Sequence, residues 1–185
     1  LHENKSLYFD VNQRRWTWDI TSIKQVEISE NVATLMIQRL SLLPDKTQAL
    51  LQVASCLGTT FLVQDLMTIQ ALDRFNVDLH LWPAIHAGFI IALDQDDSYR
   101  FLHDRFQQAA YASIPSEQVP PFCYSAGLSL LQQVSDLDEH LFKIVDLLNY
   151  GVTLPLETEA FKKIFTLNYR AALTSKKSVA YSAAF

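Results

Sequence analysis

The chain has 185 residues, of which 49% are hydrophobic, and a net charge of −5. This length and composition predict one or two small globular domains with a real core. The negative charge argues against general binding to nucleic acid or to anionic membranes. The two cysteines, Cys56 and Cys123, form neither a disulfide framework nor a paired zinc motif. Cys56 lies in an apolar helical pattern, which predicts a buried free thiol.

The chain has no recognisable targeting or membrane-spanning segment. Its first residues lack the apolar stretch of a signal peptide. The longest apolar region, Leu79 to Leu93, is short and is interrupted by His80, Pro83 and His86, so it does not suit a bilayer. Because the two cysteines give no disulfide framework, we expect a cytoplasmic protein. The first residue is not methionine and the last falls in a predicted helix, so we expect a piece of a longer protein.

The first 43 residues predict a β-hairpin followed by helices. Aromatic and polar residues alternate in Leu7–Asp10 and Trp16–Asp19, on either side of the polar residues 11–15. A short helix is predicted over 20–25, and a longer one begins at Ser29. The longer helix has an apolar face made of Val32, Leu35, Met36 and Leu40.

Between Pro44 and Pro115 the pattern predicts three helices, a β-hairpin and a fourth helix. Gly58 suits the position just after the first helix, and Asn76 and Asp78 open the third. This order is typical of a winged-helix domain. The predicted elements are helices 47–57, 62–72 and 79–90, strands 91–93 and 99–102, and helix 105–113.

From Ser116 onward the pattern is helical throughout. Small residues recur beside aromatic ones, as in Tyr169, Ala171 and Ala172, and this pattern is typical of stacked helical hairpins of the tetratricopeptide (TPR) kind. The fold class is thus predicted to be mainly α. The predicted helices cover 122–134, 139–150 and 157–174, and another begins near Lys177.

The segment from Tyr99 to Tyr111 is the most informative part of the chain. Phe101 and Leu102 read as the end of a strand, and Asp104 reads as the N-cap of a helix, with Gln107 completing a capping box. His103 stands just before that helix. There, a histidine and the helix dipole can both face a phosphate group.

Several segments resemble those of large signalling proteins in which a serine/threonine-kinase-like domain precedes a STAND-type ATPase, helical repeats and often a sensor histidine kinase. The resemblance implies three parts: the end of an ATPase core with its helical lid (1–43), a winged-helix domain (44–115) and the first TPR-like repeats (116–185). The segments that carry it are Tyr8–Asp10 through Trp16–Asp19, Asn31–Met36 through Leu43–Pro44, Phe101–Tyr111 and, more loosely, Leu147–Gly151.

The resemblance also implies a nucleotide-sensing site. In STAND proteins a hydrophobic-His-Asp motif of the winged helix closes onto ADP in the resting state, and Leu102-His103-Asp104 matches it. His103 would then sense the β-phosphate, Asp104 would hold the turn and Arg105 would lie at the interface on the first helical turn. ADP or ATP would be held by an upstream domain, and no cofactor by this segment alone.

The sequence carries no sign of catalysis. Gly58-Thr59-Thr60 lacks the Gly-x-x-x-x-Gly-Lys pattern of a Walker A loop, and no nucleophile elbow occurs. We therefore predict a non-enzymatic regulatory segment of an ATP-binding kinase, with no catalytic or metal-binding residues. Its partners would be the other domains of the parent chain and proteins that bind the helical repeats.

Four alternatives stay open, two of them for the His103–Asp104 pair. His103 and Asp104 can serve packing and capping alone. A His-Asp metal phosphohydrolase would need further ligands, for which His80, His86 and His140 are available, and His80 and His86 are predicted to be half-buried. Trp82 is predicted to be a core or interdomain anchor.

The remaining alternatives concern binding partners. The helices could form a protein scaffold without any link to nucleotide. The winged helix could also bind DNA, but no Lys or Arg occurs from Phe75 to Ser98, which covers the predicted recognition helix. Apolar Leu79 and Trp82 indicate a protein contact instead, so we predict neither a nucleic-acid nor a membrane partner.

Overall fold

A computed structural model describes residues 7–10, 15–18, 32–93, 97–134 and 136–182. Helices predominate among these residues, which confirms the mainly α fold class. The helix predicted over 20–25 and the helix start predicted at Ser29 lie outside the described residues. Within the described ranges, no helix combines the length and hydropathy needed to cross a membrane.

The predicted N-terminal hairpin is confirmed. Strands β1 (Leu7–Asp10) and β2 (Arg15–Trp18) pair antiparallel, with Leu7 opposite Trp18. Helix α1 covers Val32–Ser41, and its Leu40 is fully buried.

The next part of the chain has the predicted order of helices and hairpin, with one added strand. Thr60–Leu62 forms a strand that pairs antiparallel with the second hairpin strand, so the prediction of a helix from Leu62 was wrong at its start. Three residues are too few to give a periodic signal, and this strand exists because a distant partner supplies its hydrogen bonds. The elements are α2 (Asp45–Leu57), β3 (Thr60–Leu62), α3 (Val63–Gln70), α4 (Arg74–His86), β4 (Ile90–Leu93), β5 (Ser98–Phe101) and α5 (Asp104–Ala112).

Helix α4 begins and ends earlier than the sequence predicted. Asp73 caps it by accepting a hydrogen bond from the Asn76 backbone N–H at 2.8 Å, a cap that the sequence reading missed. The helix ends at His86, and Gly88 takes a left-handed φ of +73° in the turn that follows. Ile90, predicted to be helical, instead opens strand β4 opposite Phe101.

The three-stranded sheet has the order β3-β5-β4, so β5 is central. Large side chains from the sheet and from α2, α3 and α4 fill the core beside it. Fully buried large side chains of this part include Leu51, Phe61, Leu66, Leu81, Phe89 and Ile90. Their burial supplies the main driving force for folding of this part.

Helices α6 (Val119–Gln133), α7 (Leu137–Asn149) and α8 (Thr158–Ser182) form the C-terminal part, with a short 3₁₀ helix over Tyr150–Thr153. The prediction that a new helix begins near Lys177 was wrong. Helix α8 continues through that residue, because no glycine or proline interrupts it. Pro120 and Pro121 occupy the first turn of α6, where the missing N–H groups cost little.

The side-chain contacts that tie the C-terminal helices to the part before them include two that involve a buried side chain. Lys143 of α7 pairs with Asp65 of α3, and Cys123 of α6 touches Cys56 of α2. Helix α1 joins the same core by packing against α5. The described parts from α1 to α8 therefore share one continuous hydrophobic core.

Candidate functional site

The candidate site lies where the chain leaves the central strand β5 and enters α5. Two backbone hydrogen bonds fix this exit: the Phe101 N–H donates to Thr59 O, and the Leu102 N–H donates to Phe89 O, each at 2.9 Å. Phe101 is buried, but the Leu102 side chain is 55% exposed. The core thus ends at Phe101, and the next four residues face outward.

His103, and not Asp104, is the N-cap of helix α5. Its backbone is extended (φ −147°, ψ 142°), and its Nδ1 accepts a hydrogen bond from the Arg105 backbone N–H at 3.3 Å. The prediction that Asp104 caps the helix was therefore wrong, because Asp104 is already the first helical residue. Gln107 does not reach back as a capping box requires, since its side chain donates to Ser55 O at 3.0 Å.

The capping hydrogen bond determines which ring nitrogen of His103 can donate to a ligand. Because Nδ1 accepts a hydrogen bond, the neutral ring carries its proton on Nε2. The side chain is exposed, and Nε2 has no hydrogen-bond partner in the part of the chain that the structure describes. His103 can therefore offer an N–H donor to a group outside this segment while it still caps the helix.

Asp104 and Arg105 place opposite charges on the first turn of the same helix. Both side chains are exposed, and the Arg105 guanidinium donates to Gln108 Oε1 at 3.0 Å. The Asp104 carboxylate is favourable near the helix N-terminus but repels an incoming anion, and Arg105 offsets that repulsion. The three predicted residues are thus brought together on one exposed helix end.

Arg39 of α1 supports this helix end from the other side, and the sequence reading did not single it out. Its guanidinium lies over the rings of Phe89 and Phe106, at 5.7 and 5.8 Å from their centroids, and donates to Ala87 O at 3.3 Å. Phe106 belongs to the first turn of α5, and its ring packs against that of Phe89 at a tilt of 46°, with the centroids 4.6 Å apart. A basic residue in the last turn of α1 was the only available signal.

The other histidines with described side chains, His80, His86 and His140, form no potential metal site with His103. His80 is half-buried, as predicted, and its carbonyl accepts from Thr47 Oγ1 at 2.7 Å. The same prediction was wrong for His86, which is exposed. Trp82 is 63% exposed, so it is not a core residue of this segment, and its role as an interdomain anchor stays a prediction. Both lie on the outer face of α4, where the core is already filled by Leu81 and Ala84. Among the residues with described side chains, no group of three or more His, Cys, Asp or Glu is placed to hold a metal ion.

A second feature that the sequence reading missed is a cleft between α2, α5 and α7. It has a volume of about 500 Å³ and is bordered by Cys56, Tyr111, Asp146 and Tyr150. The Tyr111 hydroxyl donates to the Tyr150 hydroxyl at 3.0 Å. Burial and this contact raise the pKa of Tyr111 above its ordinary value.

Comparisons with known proteins point to signalling histidine kinases. The chain is 20% identical, over 98% of its length, to the hybrid signal transduction histidine kinase G of Dictyostelium discoideum. It is 32% identical, over 59% of its length, to the peroxide stress-activated histidine kinase mak3 of Schizosaccharomyces pombe. It spans only 7% and 5% of these two proteins. No family model and no solved structure matches the chain. The chain is thus distantly similar to short parts of two histidine-kinase signalling proteins.

Proposed function

We propose that this segment is a non-catalytic coupling element of a signalling kinase. It would transmit the nucleotide state of an upstream STAND-type ATP-binding domain to downstream helical repeats. One observation carries this proposal: His103 caps α5 through Nδ1 and leaves Nε2 exposed at a strand-to-helix junction. An exposed N–H donor beside a helix N-terminus suits a terminal phosphate oxygen of bound ADP.

The fold supports the domain assignment that the proposal needs. The order from α2 to α5, with β3 added to the hairpin, is the order of a winged-helix domain. The paired helices α6 and α7 and the long α8 are consistent with the beginning of TPR-like repeats. Helix α1, packed on α5, would connect the ATPase lid to the same helix that carries the sensor.

The coupling would run through the rigid contact between the two parts. A movement of α5 relative to the upstream domain would move α2 and α3, and the Asp65–Lys143 pair would carry that movement into α7. We call the arrangement in which α5 lies against the upstream domain closed, and the one in which it has moved away open. The coupling works only if ADP binds these two arrangements with different affinity. His103 would supply part of that difference, because it would contact the nucleotide only in the closed arrangement.

The test compares two substitutions of His103 in the full-length protein. His103→Ala removes both the ring and the cap, whereas His103→Asn removes the ring but keeps a good N-cap. We expect both variants to release ADP about 10-fold faster than wild type and to raise basal kinase output, because each loses about one charge-assisted hydrogen bond. The readouts are the release rate of a fluorescent ADP analogue and autophosphorylation.

The two variants separate sensing from capping. If only His103→Ala changes ADP release, His103 acts through the helix and not through the nucleotide. If neither variant changes release or output, the sensor role is refuted. A Walker A motif encoded upstream of Leu1 in the same reading frame is a further requirement of the proposal.

A protein scaffold without a nucleotide link is the second candidate, and exposed apolar side chains favour it. On α4, Phe75, Leu79 and Trp82 are exposed at helical spacing, and Phe165 and Tyr169 are exposed on α8. Under this alternative, Trp82→Glu or Phe165→Glu would abolish partner capture, whereas His103→Asn would leave capture and kinase output unchanged.

The DNA-binding alternative is disfavoured by the charges of α4. Arg74 is the only lysine or arginine in this helix. Its guanidinium is engaged by the carboxylates of Asp78, at 2.7 Å, and of Asp97. A recognition helix needs cations for phosphate contacts, and this one has none left to offer. We expect no salt-dependent DNA binding in an electrophoretic mobility assay.

A further inference from the structure

The two cysteines lie far apart in sequence and in contact in the fold. Cys56 is on α2 and Cys123 is on α6, 67 residues later, and their Sγ atoms are 3.0 Å apart. Both thiols are free. A disulfide bond requires an Sγ–Sγ distance of about 2.05 Å, so the sulfurs need to approach by only about 1 Å.

Of the two cysteines, Cys56 is the one that solvent can reach. Cys123 is completely buried, whereas Cys56 is half-buried and borders the cleft of about 500 Å³ between α2, α5 and α7. A small uncharged oxidant can therefore reach Cys56 through the cleft. Cys123 can be reached only from Cys56.

We propose that Cys56 and Cys123 are a peroxide-responsive thiol pair, with Cys56 as the attacking cysteine and Cys123 as the resolving cysteine. The substrate class is a small hydroperoxide, of which hydrogen peroxide is the simplest. This chemistry is independent of nucleotide and of the role of His103.

The hydrogen bond between the sulfurs favours the reactive form. Removal of one proton leaves a thiolate that the other S–H stabilises, and this lowers the pKa of Cys123. Removal of the second proton would break this hydrogen bond and place two negative sulfurs in contact in a buried site, and these effects together raise the pKa of Cys56. The pair thus holds one negative charge, which proton transfer across the 3.0 Å contact can place on either sulfur.

The reaction balances with peroxide as the only oxidant. The Cys56 proton passes to Cys123, and the Cys56 thiolate attacks one peroxide oxygen. The O–O bond breaks, and the other oxygen leaves as hydroxide, which forms water with the proton that the pair released when it ionised. Cys56 is then a sulfenic acid. Cys123 attacks its sulfur, the S–O bond breaks, and a second water leaves with the remaining thiol proton. Two thiols and one peroxide give one disulfide and two waters.

The disulfide would link the two parts of the molecule covalently. It joins α2, in the part that carries His103, to α6, the first helix of the C-terminal part. Because it closes a long loop, it restricts the unfolded chain strongly. Oxidation is therefore expected to fix the arrangement of the two parts and to raise the Tm.

The test treats the purified protein with one equivalent of hydrogen peroxide, blocks free thiols with N-ethylmaleimide, and maps the peptides by mass spectrometry. We expect a peptide pair joined at Cys56 and Cys123, a rise in Tm of roughly 5–15 °C and reversal by dithiothreitol. In Cys123→Ser, Cys56 should accumulate as a sulfenic acid that dimedone traps. In Cys56→Ser, the buried Cys123 should react at least about 10-fold more slowly.

Each of three results, measured on the wild-type protein, would by itself overturn the proposal. One is that both thiols remain available to N-ethylmaleimide after peroxide treatment and unfolding. Another is that Cys56 stops at the sulfenic acid while Cys123 stays reduced. The third is a disulfide between two chains instead of within one.

Discussion

Lys143 and Asp65 form an ion pair across the boundary between the C-terminal helices and the part before them. Lys143 Nζ lies 2.6 Å from Asp65 Oδ2, and the Asp65 side chain is only 5% exposed. A buried carboxylate is costly unless a cation or several donors compensate it. Loss of the pair would leave the Asp65 carboxylate buried without a cation. This cost, more than the attraction between the two charges, fixes the position of α7 against α3.

Replacing Lys143 should reveal this cost. We expect Lys143→Met to lower the free energy of unfolding by about 2–4 kcal/mol, because Asp65 is left buried without a partner. Chemical denaturation measures the change. The matched control is Lys162→Met, which removes an exposed pair with Glu159 and should cost at most about 0.5 kcal/mol. Equal effects of the two variants would contradict this account.

Substitution of His103 should have only a small effect on stability. The cap bond to the Arg105 N–H is long, at 3.3 Å, and exposed. We expect His103→Ala to lower the free energy of unfolding by about 0.5–1 kcal/mol, and His103→Asn by less than about 0.3 kcal/mol. A loss above about 2 kcal/mol for either variant, measured in urea, would mean that the ring packs in the fold instead of facing outward.

Gly151 should not tolerate a side chain. A Cβ at this position would lie 2.5 Å from Cδ2 of the Tyr124 ring, so the 3₁₀ helix after α7 sits directly on α6. We expect Gly151→Ala to cost about 1–3 kcal/mol through overpacking. The cost should shrink when Tyr124→Leu is introduced in the same protein, and additive effects in this double-mutant cycle would contradict the proposed contact.

The Tyr111–Tyr150 contact should make stability fall at alkaline pH. Burial raises the pKa of Tyr111 in the folded state, so the folded protein holds the phenol proton more tightly than the unfolded chain. This contribution to stability is complete below the unfolded pKa of about 10 and is lost as the pH rises toward the folded pKa.

The measurement is the free energy of unfolding of wild type and Tyr111→Phe between pH 8 and about 11. We expect the wild-type curve to fall more steeply above about pH 10, since only wild type has this phenol to ionise. The difference between the two proteins isolates Tyr111 from the other groups that titrate there. Parallel curves would show that the folded and unfolded states bind this proton equally well.

Much of the fold could be read from local pattern. Alternating aromatic residues predicted the N-terminal hairpin, and apolar spacing predicted the order of helices and hairpin from α2 to α5. These signals are local because side-chain period and capping chemistry act over a few residues. Boundaries were less accurate: Asp73 was overlooked as the cap of α4, and Ile90 was assigned to the helix instead of the strand.

Strand β3 and the outward position of Trp82 had no usable local signal. The strand depends on hydrogen bonds to β5, some 40 residues away, and Trp82 is exposed because Leu81 and Ala84 already fill the core side of α4. The pairing of a short strand and the exposure of a helical side chain both depend on which face of the element packs against the rest of the fold.

For the candidate site, the sequence by itself determined that His103, Asp104 and Arg105 share a strand-to-helix junction, because adjacency in the chain guarantees it. Only the tertiary structure decided that the imidazole caps the helix in place of the aspartate, and which ring nitrogen is left exposed. Likewise, the sequence contained two cysteines, and only the packing of α2 against α6 brought their sulfurs into contact. Which distant segments come into contact depends on how whole faces of helices and strands are buried. The local sequence pattern does not specify this.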